Sequence, residues 1–224
     1  MRKDILRDDN PVLRLSYFFA LLYWLNCESG SVPAVIAKVS STALLALHAH
    51  RKVSQQPNQT VTSLALHCVG DLLIELPGNS ILYAIPAFFL GHAFYISALK
   101  KNCIHLQDMN MPQALVTAAF TIYGTAFTNF LMTKTSDVIQ CAIPLYSLAL
   151  TAMFILACLQ KKNTLHTFSS AFLYVASDNI IALNMFVKKT PYASYLSWPS
   201  YYCAVKMMAD GLQKETKNIP APAY

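Results

Sequence analysis

Asp71 and Asp178 lie in matching small-Asp surroundings, Val69-Gly70-Asp71-Leu72-Leu73 and Ala176-Ser177-Asp178-Asn179-Ile180, each inside a long apolar stretch. Two carboxyl groups flanking one reactive bond can divide acid and base work, as in glycosidases, where one is kept protonated by its surroundings. Lys38, His67, Glu75, His92, Lys206 and Asp210 also interrupt apolar stretches. A charge in mid-membrane costs about 2.5 to 3.5 kcal/mol on insertion scales, which makes each of them a candidate for function. His67, Asp71 and Glu75 are spaced i, i+4, i+8 and would share one helix face, with Lys38 at comparable depth opposite the carboxylates. Lys206 and Asp210 are i, i+4 and read most simply as a self-neutralising pair near a helix end. The plainer role for such groups is a polar staple between helices, at around 1 kcal/mol per hydrogen bond. A staple accounts well for one pair, and less well for a repeated aspartate joined by Lys, His and Glu.

The elements that must hold these residues are membrane helices. Of 224 residues, 55% are hydrophobic and only 12% charged, about half the charged share of a soluble globule. Arg51-Lys52, Lys100-Lys101, Lys161-Lys162 and Lys188-Lys189 lie in polar breaks between apolar stretches, which run to roughly 16 to 24 residues, near the length that crosses a bilayer. Lipid offers no partner for open backbone groups. The pattern therefore predicts an all-α integral membrane protein with eight transmembrane helices, near 12–27, 31–49, 60–76, 80–99, 112–132, 137–160, 165–186 and 192–213. Residues 1–11 and 214–224 are expected to be short cytoplasmic segments around one membrane domain, 12–213.

Loop charge sets the orientation. One side carries Arg2, Lys3, Arg7, Arg51, Lys52, Lys100, Lys101, Lys161, Lys162, Lys214 and Lys217, and the other Lys134, Lys188 and Lys189. The positive-inside rule then places both termini in the cytoplasm. The glycosylation pattern Asn58-Gln59-Thr60 falls in a cytoplasmic loop and reads as coincidence. The first apolar run has no small-residue cleavage site after it and is expected to stay as a helix. Prolines 33, 86, 112, 144 and 199 sit at or within spans, where they start helices or kink them around a cavity. The net charge of +6 is scattered over stretch ends and forms no stripe, so no nucleic-acid partner is expected. The six cysteines show no metal-ligand spacing.

Sliding the chain against itself by 107 residues lays Leu66 to Leu76 over Leu173 to Leu183, with Asp71 on Asp178, and sets Phe94-Tyr95 on Tyr201-Tyr202. An offset of four spans preserves direction through the membrane, so the expectation is a parallel four-plus-four repeat. Asp71 and Asp178 would then face each other across a central cleft.

Three segments in order carry a family resemblance: Val69 to Leu73, then Phe88-Phe89-Leu90-Gly91-His92-Ala93-Phe94-Tyr95-Ile96, then Val175 to Phe186 with Ser177-Asp178 and Ala182-Leu183-Asn184. Together they resemble the YhhN-type lysoplasmalogenases, eight-span membrane hydrolases, over about Lys38 to Leu212. The resemblance implies cleavage of the vinyl ether bond of lysoplasmalogens to a fatty aldehyde and glycerophosphocholine or glycerophosphoethanolamine. It implies catalytic carboxylates at Asp71 and Asp178; Lys38, His92, Tyr95 and Asn184 are expected to bind the substrate, and Lys38 or His92 could take its phosphate or hold the second acid ionised. The partners are then a lysophospholipid substrate and membrane lipid, in a bacterial inner membrane rather than an endoplasmic reticulum. Lys38 is followed by Val39 where the family usually has Pro, Val205-Lys206 stands where a Gln is usual, and Glu75 occupies a position usually apolar.

A vinyl ether hydrolyses by protonation of its outer alkene carbon, giving an oxocarbenium ion that water captures. Such a step needs an acid, a base and negative charge nearby, so no metal or other cofactor is expected. Two rival readings use the same residues. His67, Asp71, Glu75 and His92 could hold a zinc ion that activates water, and midplane carboxylates in a parallel repeat also suit an ion- or proton-coupled secondary transporter.

Overall fold

The computed structural model describes residues 10–52, 58–78, 80–162 and 164–216. These form eight α-helices: α1 Pro11–Asn26, α2 Val32–Lys52, α3 Gln59–Leu73, α4 Ser80–Leu99, α5 Met111–Met132, α6 Asp137–Cys158, α7 Thr164–Ala182 and α8 Ala193–Thr216. The starts follow from side-chain capping. The Asn10 side chain accepts from the Val12 N–H ahead of Pro11, and Asn110 and Gln113 form a reciprocal capping box before α5. Asn58 caps α3 by accepting from the Thr60 and Val61 N–H groups, so the sequon asparagine has a structural task. Most of the segments expected to flank the membrane domain, 1–11 and 214–224, fall outside the described residues.

Among the described residues, five stretches are long and apolar enough to cross a membrane: Val32–Arg51, Ser80–Asn102, Met111–Met132, Asp137–Cys158 and Thr164–Val187. Helices α1 and α3, with 16 and 15 residues, are shorter than these five, and α8 is more polar. The distribution of side chains suits lipid. Phe18, Leu25, Ile36, Ile122, Leu145 and Phe172 point outward, while Ser16, Ser41, His48, Ser63, His67 and Ser170 are fully buried. In water such an apolar surface would be an aggregation hazard; around a bilayer it is the solvated face. The chain is a multi-pass helical membrane protein.

Helix pairs α1–α2, α3–α4, α5–α6 and α7–α8 pack directly, as do α2–α3 and α6–α7, while α4 meets α6 and α2 meets α8. Exchanging α1–α4 for α5–α8 converts each of these pairs into another of them; the contacts of α8 with α1 and α3 break the correspondence. The tightest seam lies between α3 and α4. A Cβ added at Gly70 would come within 2.7 Å of the Phe88 ring, and one at Gly91 within 2.8 Å of the His67 ring. Small residues at such crossings let helices approach in lipid.

One expected boundary is corrected. Helix α3 stops at Leu73 with Ile74 as its C-cap, so Glu75 lies in the following turn and does not continue the helix face of His67 and Asp71. The backbone closes there in a tighter turn, with the Glu75 N–H on the Leu72 carbonyl at 3.2 Å. Helix α7 ends differently, in a π-helical turn over Leu183–Val187, a rare feature frequent at functional sites.

Candidate active site

Asp71 and Asp178 come from the last turns of α3 and α7, and both line one cavity of about 270 Å³. It lies among the ends of α3, α5 and α7 and the starts of α4, α6 and α8, at the bundle end poor in Lys and Arg. Its wall is mostly apolar, with Ile85, Phe88, Phe127, Ile143 and Leu150 among the lining residues. Each proline inside a helix lies between lining residues: Pro86 between Ile85 and Phe88, Pro144 between Ile143 and Tyr146, Pro199 between Trp198 and Tyr201. A proline deletes one helical hydrogen bond and loosens the local backbone, so the ring of prolines coincides with the space the helices leave.

Each carboxylate accepts from one tyrosine. Tyr201 donates to Asp71 Oδ2 at 2.9 Å, and Tyr146 donates to Asp178 Oδ2 at 2.7 Å. Asp71 is 2% exposed. The two aspartates are close enough to interact electrostatically, and Lys38 acts on Asp71 in the same way. Behind them is a buried aromatic layer. Tyr174 meets Tyr201, His67 and His92 at ring-centre distances of 5.4, 5.3 and 4.6 Å. The phenol of Tyr146 also bonds His92 Nε2 at 3.3 Å. Charge-assisted hydrogen bonds of this kind fix a carboxylate's orientation more firmly than neutral ones.

Lys38, Asp71, Asp178 and Asn184 line the cavity, whereas His92 and Tyr95 are buried and absent from its lining. His92 is hydrogen-bonded to the lining residue Tyr146. Asn184 Oδ1 also accepts from the Thr190 N–H at 2.7 Å, tying down the chain after the π turn. Lys206 bonds Asp210 at 2.5 Å within α8, away from the cavity lining. His67 Nδ1 donates to the Ser63 carbonyl at 2.7 Å. Among the described residues, no three His, Cys, Asp or Glu side chains converge as a metal-binding group.

Several lining residues escaped the sequence reading. Tyr146, Tyr201, Tyr23 and Trp198 look like ordinary aromatic members of apolar spans, and aromatics are common in membrane helices. The available signal was proline proximity, since Tyr146 and Tyr201 each follow a mid-helix proline by two residues. Lys38 stands opposite Glu75, as their positions in the sequence suggest, and only the second partner follows from the fold: Glu75 Oε1 accepts from Lys38 at 2.7 Å and from Tyr23 at 3.2 Å.

An apolar helical bundle enclosing two tyrosine-bonded carboxylates is the architecture of a polytopic membrane protein with an internal polar site. The chain belongs to the YhhN family, whose model matches residues 34–212. Two relatives named lysoplasmalogenase, from Mycobacterium bovis and Mycobacterium tuberculosis, are each 25% identical over 195 residues, covering 85% of this chain and 74% of theirs. No solved structure matches the chain at a significant level.

Proposed function

We propose that the chain is a membrane hydrolase that cleaves the vinyl ether bond of lysoplasmalogens, using Asp71 and Asp178 as its acid–base pair. The observation that carries this reading is the placement of two carboxyl groups, each oriented by a tyrosine, on the wall of one largely apolar cavity. An apolar wall suits the alkenyl chain, and the carboxyl pair suits the reaction. The named relatives and family membership point the same way.

In the proposed reaction one aspartic acid gives its proton to the outer alkene carbon, and the electron pair of the double bond forms the new C–H bond. The adjacent carbon becomes an oxocarbenium ion, stabilised by the negative charge of the second aspartate. That aspartate takes a proton from water as the water oxygen bonds the cationic carbon, giving a hemiacetal. In the collapse of the hemiacetal the second aspartate returns its proton to the glycerol oxygen as the C–O bond breaks, and the first aspartate takes the hemiacetal hydroxyl proton, which yields a fatty aldehyde and the glycerophospho-base and restores the starting protonation of the pair. Proton transfers of this type contribute about 10²- to 10⁴-fold to rate.

Both termini are assigned to the cytoplasm by the loop charges, with the cavity toward the opposite half of the bilayer. Eight membrane-crossing helices, the parallel repeat and a bacterial inner membrane belong to the same proposal. The chain purified in detergent, where no gradient exists, is expected to release fatty aldehyde from a lysoplasmalogen, and to do so after exhaustive chelation. Absence of release from folded protein would move the reading to a carrier, and loss on chelation with recovery by zinc would move it to a metal hydrolase.

A further inference from the structure

The charged side chains lining the cavity are Lys38, Asp71, Glu75 and Asp178. The acid–base chemistry uses only the aspartates. Lys38 and Glu75 form a 2.7 Å salt bridge between α2 and the turn after α3, with side-chain exposures of 11% and 24%. The Lys38 ammonium lies against Glu75 Oε1 and over two aromatic faces, 5.4 Å from the ring centre of Tyr23 and 6.0 Å from that of Trp198. Both rings are fixed. The Trp198 indole N–H donates to the Ala20 carbonyl at 3.0 Å, the Tyr23 hydroxyl donates to Glu75 at 3.2 Å, and the rings meet edge to face at 4.5 Å. A carboxylate beside two aromatic faces is a receptor for an ammonium ion. In this protein its resident cation is a side chain that also lines the cavity.

We propose that Lys38, Glu75, Tyr23 and Trp198 form a headgroup subsite that takes a phospho-ammonium zwitterion by ion-pair exchange. This rests on the reading of the cavity as a lysophospholipid site. The ligand's ammonium replaces the Lys38 ammonium against Glu75 and the two rings, and Lys38 turns to the ligand's phosphodiester. One internal ion pair becomes two intermolecular ones, and no charge is left alone. A headgroup with phosphate only draws Lys38 away and supplies no cation for Glu75, which keeps the Tyr23 hydroxyl but loses its counter-ion beside an apolar wall. Leaving a partly buried charge without a partner costs more than losing a neutral contact, so the subsite discriminates by penalising the wrong ligand. Glu75 is thus the specificity-determining residue and Lys38 the contact shared by every phosphate-bearing ligand.

The test is direct binding of 1-alkyl lysophospholipids, which lack the vinyl ether, to the full chain in detergent, so affinity is read without turnover. Three headgroups are compared: phosphocholine, phosphoethanolamine and bare phosphate. Wild-type protein is expected to bind both zwitterions about tenfold or more tightly than the phosphate monoester. Glu75→Gln is expected to erase that preference by weakening the zwitterions, and Lys38→Met to weaken all three ligands. Equal wild-type affinity for the three, or an intact preference in Glu75→Gln, overturns the subsite. The wild-type comparison stands even if a variant fails to fold. Turnover of lysoplasmalogens by a wild-type protein without headgroup preference would reject the subsite while upholding the proposed reaction.

Discussion

At the scale of single residues, the proposed chemistry depends on two tyrosines as well as two aspartates. Tyr201 and Tyr146 each give one hydrogen bond to a carboxylate, at 2.9 and 2.7 Å. Hydrogen bonds to charged groups contribute about 1.5 to 3 kcal/mol, so Tyr201→Phe and Tyr146→Phe are each expected to lower kcat on lysoplasmalogen by roughly ten- to a hundredfold. Retention of the ring keeps the packing, and steady-state kinetics on folded variants checks the effect; unchanged kcat in both would show that orientation by these phenols does not matter. Asp210→Asn is expected to leave aldehyde release near the wild-type rate, because Asp210 is paired with Lys206 inside α8 and does not line the cavity. The aspartates were legible in the sequence because a charge in an apolar span stands out. Their tyrosine partners were not, since a phenol in such a span has no cost that marks it, and the pairing of Tyr201 with Asp71 joins residues far apart in the chain.

At the scale of elements, the helix boundaries were largely legible. The expected spans 80–99 and 112–132 lie within one residue of Ser80–Leu99 and Met111–Met132, because Pro, Asn and Lys-Lys breaks mark the ends of apolar runs. The end of α3 was not legible. An apolar-acidic sequence such as Ile74-Glu75-Leu76 continues a helix pattern, and only the fold reveals that it turns to bring Glu75 to Lys38. The glycines of two resemblance segments have a physical task at the α3–α4 seam. Gly70→Ala would push on Phe88, which lines the cavity, and Gly91→Ala would push on buried His67. Overpacking costs about 1 to 3 kcal/mol, so each variant is expected to lower the thermal unfolding temperature in detergent, and Gly70→Ala to reduce activity further through Phe88. Wild-type stability in both would mean that the helices separate freely at this crossing.

At the scale of the whole molecule, the carboxylates stand at the bundle end where α3 and α7 finish, opposite the end rich in Lys and Arg. A reporter fused after residue 224 is accordingly expected to behave as cytoplasmic: a fused fluorescent protein should light up and a fused alkaline phosphatase stay inactive. The reverse result would invert the assigned orientation and move the cavity to the cytoplasmic half. The neighbours of α1–α4 exchange for those of α5–α8 except at the contacts of α8 with α1 and α3, and the parallel repeat suggested by the offset of Asp71 on Asp178 stays a proposal. A two-carboxylate hydrolase stands or falls on those aspartates together. The most direct measurement is aldehyde release from a lysoplasmalogen by purified wild-type, Asp71→Asn and Asp178→Asn proteins, with folding checked by thermal unfolding. Asparagine keeps the shape but can neither give nor take the reaction's proton, so each variant is expected to stay folded and lose about a hundredfold or more in rate. Near-full turnover in either folded variant would contradict the two-carboxylate account.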